Sequence, residues 1–218
     1  MRLNILIGGK AGQGVNKISK IVSSLLLSKG YFIFNYRDYT NLIRGGHSFN
    51  VLSISDEKIG SIESVIDILV PMDERTIVTH KKELRKGGFI VDYKQFLSLG
   101  LNMNIALSGI LIKLLGFSKE DLHESIKNEF NSSEALSAID AGYNSVDKKY
   151  SFTGLSRKLT LLSGSHAIAQ GAIQSGIDIY LGYPMTPSTE LLHTLASKQK
   201  ECGHLVFQPE NEIAVVNA

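Results

Sequence analysis

The sequence predicts an α/β fold: a first domain with a mostly parallel sheet, and behind it the opening of a second α/β domain. Three observations predict it. Strand-like and helix-like segments alternate through most of residues 1–147, the order a largely parallel sheet requires. A glycine run, Gly8-Gly-Lys-Ala-Gly-Gln-Gly14, separates a short apolar strand from an amphipathic helix. Near the C-terminus, strand, tight loop and helix occur twice in succession, over residues 177–195 and 204–216.

In chain order, Leu3 to Ile7 reads as a strand. Asn16 to Ser28 reads as a helix, with Ile18, Ile21, Val22, Leu25 and Leu26 on one face. Tyr31 to Asn35 is the next strand. The glycines at 8, 9, 12 and 14 do not follow dinucleotide spacing, and no Gly-Lys-Ser/Thr of a P-loop accompanies them. Gly9, Gly12 and Gly14 therefore either offer backbone N–H groups to an anion or permit close helix–strand packing. Asp38, after the second strand, is weak evidence for a ribose contact. The segment Tyr36 to Asn50 is polar, aromatic and glycine-broken, which suits an ordered loop at a sheet edge or interface. Within it, Arg44, Gly45 and Gly46 either leave backbone open to a partner or form a turn held by Arg–Asp pairing. Strands follow at Val51 to Ser55 and Val65 to Val70, the latter interrupted by Asp67. A helix over Glu74 to Leu84 and a strand over Phe89 to Asp92 come next. Helices over Ile105 to Leu115, Lys119 to Glu129 and Ser133 to Val146 close the domain. Residues 148–156 are polar and aperiodic and read as a linker without Gly/Ser-rich character.

The totals set bounds. At 218 residues the chain holds one or two domains. Hydrophobic content of 43% and charged content of 20% are those of an ordinary globular chain. A net charge of +2 without a basic cluster gives no reason to expect nucleic acid or a membrane surface as partner. The uncharged runs Gln95 to Ile112 and Leu159 to Ile177 are broken by Ser, Asn, Gln or Gly, so no membrane span is read. The single cysteine, Cys202, cannot form an internal disulfide or build an iron–sulfur site alone, and it reads as a plain thiol near a helix end. The six histidines lack ligand spacing, so no metal site is read. Together these features predict a cytoplasmic protein.

In the second domain, Arg157 to Leu162 reads as a strand, and Ser163-Gly-Ser-His166 as a turn into a helix over Ala167 to Ser175. Ile177 to Leu181 is a short buried strand that breaks at Tyr183-Pro184. Thr186-Pro187 reads as a helix start, with Thr186 as N-cap and Pro187 at the first helical position. His204 to Phe207 repeats the strand, and Glu212 to Val216 opens another helix. Ligands of parallel sheets bind outside the carboxyl ends of the strands, where Thr186, Glu210 and Glu212 would all sit. Acids in a first helical turn also simply complement the helix dipole. A threonine at a helix start also simply caps it, for about 1 kcal/mol.

The stretch Gly182-Tyr-Pro-Met-Thr-Pro-Ser-Thr189, followed by Gln208-Pro-Glu-Asn-Glu-Ile-Ala214, resembles the opening of the α chain of 2-oxoacid:ferredoxin oxidoreductases. Gly9-Lys-Ala-Gly-Gln-Gly-Val15, Tyr36-Arg-Asp-Tyr39, Ile43-Arg-Gly-Gly-His47 and Ala141-Gly-Tyr143 are similar to segments of the γ domain of the same family. The resemblance implies a Rossmann-like γ domain over 1–147, a linker over 148–156, and over 157–218 the N-terminal part of a thiamine-diphosphate-binding α domain, incomplete at Ala218. It implies oxidative decarboxylation of a 2-oxoacid to an acyl-CoA, with electrons passed to ferredoxin.

In that chemistry thiamine diphosphate supplies the electron sink, and a glutamate on the pyrimidine nitrogen favours the form that removes the C2 proton. The resemblance assigns that glutamate to Glu212. Tyr183 and Pro184 become cofactor-pocket wall, and Thr186 the contact to the 2-oxoacid carboxylate. Gly9, Gly12, Gly14, Arg44, Gly45 and Gly46 become candidate coenzyme A-side loops. Magnesium and an iron–sulfur cluster are expected on a β subunit, with a hetero-oligomer as the working form and this chain inactive alone. The fusion order makes a 2-oxoglutarate-type enzyme the preferred member. Gly164-Ser165-His166 departs from the Gly-Asn-Glu usual in the family. The alternative is a non-catalytic γ-type binding module with a vestigial tail; a dinucleotide enzyme is a third reading.

Overall fold

A computed structural model describes residues 2–38, 46–126 and 132–218. The chain forms two compact units that meet at Leu159 and Thr160.

Unit 1 is built on a five-stranded sheet in the order β2-β3-β1-β4-β5. Its strands are β1 (Arg2–Lys10), β2 (Phe32–Asp38), β3 (His47–Ser55), β4 (Ile66–Pro71) and β5 (Leu84–Ile90). β1, β4 and β5 pair in parallel, while β3 runs antiparallel to both β1 and β2. The sheet is therefore mixed, with a single reversed strand. The reversal follows from chain length. Asp38 and His47 are separated by only eight residues, too few for the crossover a parallel pair needs. By contrast, α1 (Val15–Ser28) returns the chain from β1 to β2.

β1 is buried on both faces, which explains an apolar run interrupted from Leu3 to Ile7 by Asn4 alone. Its odd-numbered side chains Leu3, Ile5 and Ile7 join the main core with α1 and α3 (Met103–Leu115). Leu6 joins Val51, Ile66 and Leu69 in a smaller cluster. Asp67, which interrupts the β4 run, is 7% exposed, and its two oxygens are both used. Oδ2 accepts from the Asn4 amide at 2.8 Å and Oδ1 pairs with Arg85 Nε at 3.0 Å.

α3 is the central core helix, with every residue but Lys113 buried. Lys94–Leu115 is long and apolar enough by composition to cross a membrane, but it is kinked at Gly100 (φ 55°) and its α3 half is core. α3 packs on α5 (Ser133–Asn144) at backbone-to-backbone distance. A Cβ on Gly142 would lie 1.9 Å from the Ala106 carbonyl oxygen, and one on Gly109 2.6 Å from that of Ile139. α2 (Glu74–His80) and α4 (Lys119–Ile126) complete the unit. α2 is capped by Asp73, which accepts from the Thr76 amide at 2.8 Å. It ends at His80, four residues earlier than the pattern implies, because a short 3-10 turn, Lys81–Glu83, brings the chain into β5.

Two expectations are corrected. β5 begins at Leu84, earlier than Phe89, and residues 157–162 form no strand. Residues 148–156, polar enough to read as a linker, lie along unit 1. The amides of Tyr150, Phe152 and Leu155 donate to the carbonyls of Leu114, Leu115 and Lys29. The Phe152 ring packs edge-on to Tyr31 at 5.0 Å, 4% exposed.

Unit 2 holds two parallel strands, β6 (Ile179–Leu181) and β7 (Leu205–Phe207), with α6 (Gly164–Gln174), α7 (Thr186–Cys202) and α8 (Glu212–Asn217). Leu192, Leu195 and His204 form its small core, the His204 Nε2–H donating to the Leu195 carbonyl at 3.0 Å.

Candidate functional site

In unit 1 the predicted glycines gather at one end of the sheet. Gly9 lies within β1, paired with Ser48, so the turn is shorter than the glycine run suggests and covers only Ala11 to Gly14. The Ala11 amide donates to the Gly46 carbonyl at 2.8 Å, which ties this turn to Gly46, just before β3. Gly14 takes the left-handed conformation (φ 94°) and starts α1 without a side-chain cap. The Asn104 amide fills the space where a Gly14 side chain would stand, 2.2 Å from an ideal Cβ. Gly12 shares the left-handed conformation but has open space around it. Close packing thus explains Gly14 and leaves Gly12 accessible. Arg44 and Gly45 lie outside the described residues. Asp38 accepts from the Tyr36 hydroxyl at 3.2 Å.

The same edge carries a histidine pair that sequence reasoning missed. His47 Nε2 and His80 Nε2 are 2.8 Å apart, and His80 Nδ1 is 3.0 Å from Glu83 Oε2. A carboxylate only accepts, so His80 carries its proton on Nδ1 and receives a hydrogen bond from the His47 Nε2–H. Phe49 packs against both rings. Burial first, and then the neighbouring His80, hold the His47 imidazole below its ordinary value. No spacing rule links residues 33 positions apart, so the pair has no local signature.

Unit 2 places its predicted residues at the carboxyl edge of β6 and β7. The Gly182 amide donates to the Phe207 carbonyl at 3.2 Å, which holds the two post-strand loops side by side. Thr186 follows the first loop and Glu212 the second. Tyr183 and Pro184 form the first loop, whose carbonyl at Tyr183 accepts from the Met185 amide at 2.8 Å.

The cap of α7 differs from expectation. Met185 is the N-cap, because its carbonyl accepts from the amides of Ser188 and Thr189 at 2.9 Å each. Thr186 is already helical, and its hydroxyl makes no hydrogen bond among the described residues. It lines a cleft of about 530 Å³ with His166, Thr189, Glu190, His193, Thr194 and Ser197. The other three hydroxyls in that wall are spent on helix carbonyls: Thr189 on Met185, Thr194 on Glu190, Ser197 on Thr194. Thr186 therefore presents the free hydroxyl.

His166 enters this cleft from the first turn of α6, its Nδ1 2.7 Å from Ser163 Oγ and 3.3 Å from Glu190 Oε1. Glu212 stands outside the cleft lining. Asn211 caps α8 by accepting from the Ala214 amide at 2.9 Å, so capping makes no demand on the Glu212 carboxylate. That carboxylate is exposed and makes no hydrogen bond or ion pair among the described residues, with Ile213 and Val216 exposed beside it on α8. Glu210 is likewise exposed. Among the described residues no group of three His, Cys, Asp or Glu side chains is placed to hold a metal ion.

Residues 4–97 match the family model "Pyruvate ferredoxin/flavodoxin oxidoreductase", and residues 170–218 match "Pyruvate flavodoxin/ferredoxin oxidoreductase, thiamine diP-bdg". The 2-oxoacid:ferredoxin oxidoreductase subunit alpha of Sulfolobus sp is 26% identical over 299 residues, taking in 100% of this chain and 47% of the relative. The 2-oxoglutarate synthase subunit KorA of Archaeoglobus fulgidus is 38% identical over 61 residues, which is 28% of this chain and 18% of the relative. The chain spans about half the length of the α-subunit relatives aligned along all of it.

Among solved structures, the 2-oxoglutarate:ferredoxin oxidoreductase from Magnetococcus marinus shares the fold at a TM-score of 0.84 and 18% identity, over 99% of this chain and 44% of that one. The keto/oxoacid ferredoxin oxidoreductase γ subunit from Geobacter sulfurreducens does so at 0.54 and 20%, over 66% of this chain and 95% of that one. Two family models met in succession, with a relative aligned along the whole length, make this chain similar from end to end to the 2-oxoacid:ferredoxin oxidoreductases and to their α subunit.

Proposed function

We propose that this chain is the γ–α part of an enzyme that oxidatively decarboxylates a 2-oxoacid to an acyl-CoA and passes the electrons to ferredoxin, working with a β subunit and thiamine diphosphate. One observation carries the reading. A free hydroxyl, Thr186, and a free carboxylate, Glu212, follow the carboxyl ends of adjacent parallel strands whose loops are hydrogen-bonded together. The residues fit one end of the cofactor. Glu212 is a carboxylate uncommitted to capping, as a pyrimidine ring nitrogen requires, and exposed Ile213 and Val216 beside it suit an aromatic ring.

When bound, thiamine diphosphate supplies the electron sink for decarboxylation. Glu212 holds a proton between its carboxylate and the pyrimidine nitrogen. The Thr186 hydroxyl donates to the carboxylate of the 2-oxoacid, aided by the start of α7. Tyr183 and Pro184 wall the pocket. Coenzyme A approaches the turn at Gly12 and Gly46 beside it. Magnesium and the iron–sulfur cluster belong to the β subunit, and this chain alone does not turn over.

The test is steady-state kinetics of the complex reconstituted with its β subunit. Thr186→Ala removes a hydrogen bond to a charged group, and a tenfold or larger rise in KM is expected, from about 1.5–3 kcal/mol. Glu212→Gln removes the proton-holding group, and kcat should fall by roughly a hundredfold or more. Wild-type kinetics in both variants, with the fold intact, would refute the assignment.

A further inference from the structure

We propose that His166 is a specificity residue that binds the distal carboxylate of a dicarboxylic 2-oxoacid whose first carboxylate rests on Thr186; this builds on the role given to Thr186 above. The cleft of about 530 Å³ lies within the range of small-molecule sites, and its wall contains both residues.

Spacing favours the pairing. Glu190, in contact with the His166 ring, lies four residues beyond Thr186 on α7, a rise of about 6 Å. The two carboxyl carbons of a five-carbon diacid are four bonds apart, about 5 Å in extended form. His193, the other imidazole in the wall, lies seven residues beyond Thr186, a rise of about 10.5 Å, which such a ligand does not span.

The chemistry of the ring agrees. Nδ1 sits against the Glu190 carboxylate and the Ser163 hydroxyl, so it carries a proton and is fully engaged. Nε2 has no partner among the described residues. When both ring nitrogens carry protons, Nε2 donates a hydrogen bond to a ligand carboxylate, with Glu190 Oε1 3.3 Å from Nδ1 on the other side of the ring. Glu190 and His193 are the charged or titratable groups that α7 presents in this wall. The trio is not a nucleophilic serine site, because Ser163 and Glu190 share one ring nitrogen, whereas such a site needs them on opposite nitrogens.

The test compares 2-oxoglutarate with pyruvate in the complex reconstituted with its β subunit. His166→Ala should lower kcat/KM for 2-oxoglutarate about tenfold, the size of one hydrogen bond to a charged group, and leave pyruvate within about twofold. His166→Gln, which keeps an N–H donor, should recover part of the loss. Thr186→Ala should weaken both substrates. An unchanged substrate ratio in His166→Ala, with Thr186→Ala impaired on both, overturns the role of His166 alone. Wild-type behaviour in both variants overturns the reading of the whole cleft. Failure of the wild-type complex to prefer 2-oxoglutarate over pyruvate also overturns the proposal.

Discussion

Gly142→Ala should destabilise unit 1 through one contact. The new Cβ would stand 1.9 Å from the Ala106 carbonyl oxygen and 2.6 Å from its carbon, where ordinary contact begins at 3.4 Å. The helices must therefore part by about 1.5 Å at this crossing, or α5 must rotate, since the obstacle is backbone and cannot change rotamer. α3 has little room to retreat because it is buried along nearly its whole length. Overpacking on this scale costs about 3 kcal/mol, the upper part of the usual range. Against it stands about 1 kcal/mol from replacing glycine by alanine inside a helix. The net loss is about 2 kcal/mol, or a fall in Tm of about 4–8 °C for a unit of this size. Gly171→Ala is the control. It lies in α6 with no atom within 4 Å of the added carbon, and should gain about 0.5–1 kcal/mol in its own unit. Urea and thermal melts followed by circular dichroism measure both. A Gly142→Ala variant as stable as the parent would show that the α3–α5 contact is loose and refute the reasoning.

Two further outcomes concern stability, beside the kinetic ones given above. His47 is held below its ordinary value of 6.5, so the unfolded chain binds more protons than the folded one as pH drops below that value. Its contribution is present above pH 6.5 and is lost as pH falls toward the folded value. The urea midpoint should fall on acidification, and His47→Gln should flatten that dependence; an unchanged slope would exclude His47 as the source. Phe152→Ala should cost unit 1 about 3–5 kcal/mol in denaturant melts, as for a large buried aromatic, whereas a free linker residue would cost nothing measurable.

The sequence itself determined much of the architecture. Leu3 to Ile7 and Ile66 to Val70 are apolar apart from Asn4 and Asp67 because both faces of their strands are covered, a pattern visible without coordinates. The amphipathic spacing of α1 and the proline-marked start of α7 are equally local, whereas Tyr36 to Asn50 read as a loop and only the structure shows strands β2 and β3 extending into it, with the reversed strand that follows. The motifs around Thr186 and Glu212 were legible for the same reason: turn and helix-start chemistry is carried by adjacent residues.

What required the tertiary structure depends on distant partners. Asp67 reads as an interruption until Asn4 and Arg85 supply its hydrogen bonds. Residues 148–156 read as a linker because side-chain polarity conceals that their backbone amides dock on Leu114, Leu115 and Lys29. The freedom of the Thr186 hydroxyl follows from the Met185 carbonyl starting the helix ladder, one residue earlier than propensity places the cap. His47 with His80, and His166 with Glu190, meet only when separate elements pack together. Periodicity reports which face a residue occupies, but the neighbour it finds there is settled by how helices and strands from distant parts of the chain are brought into contact.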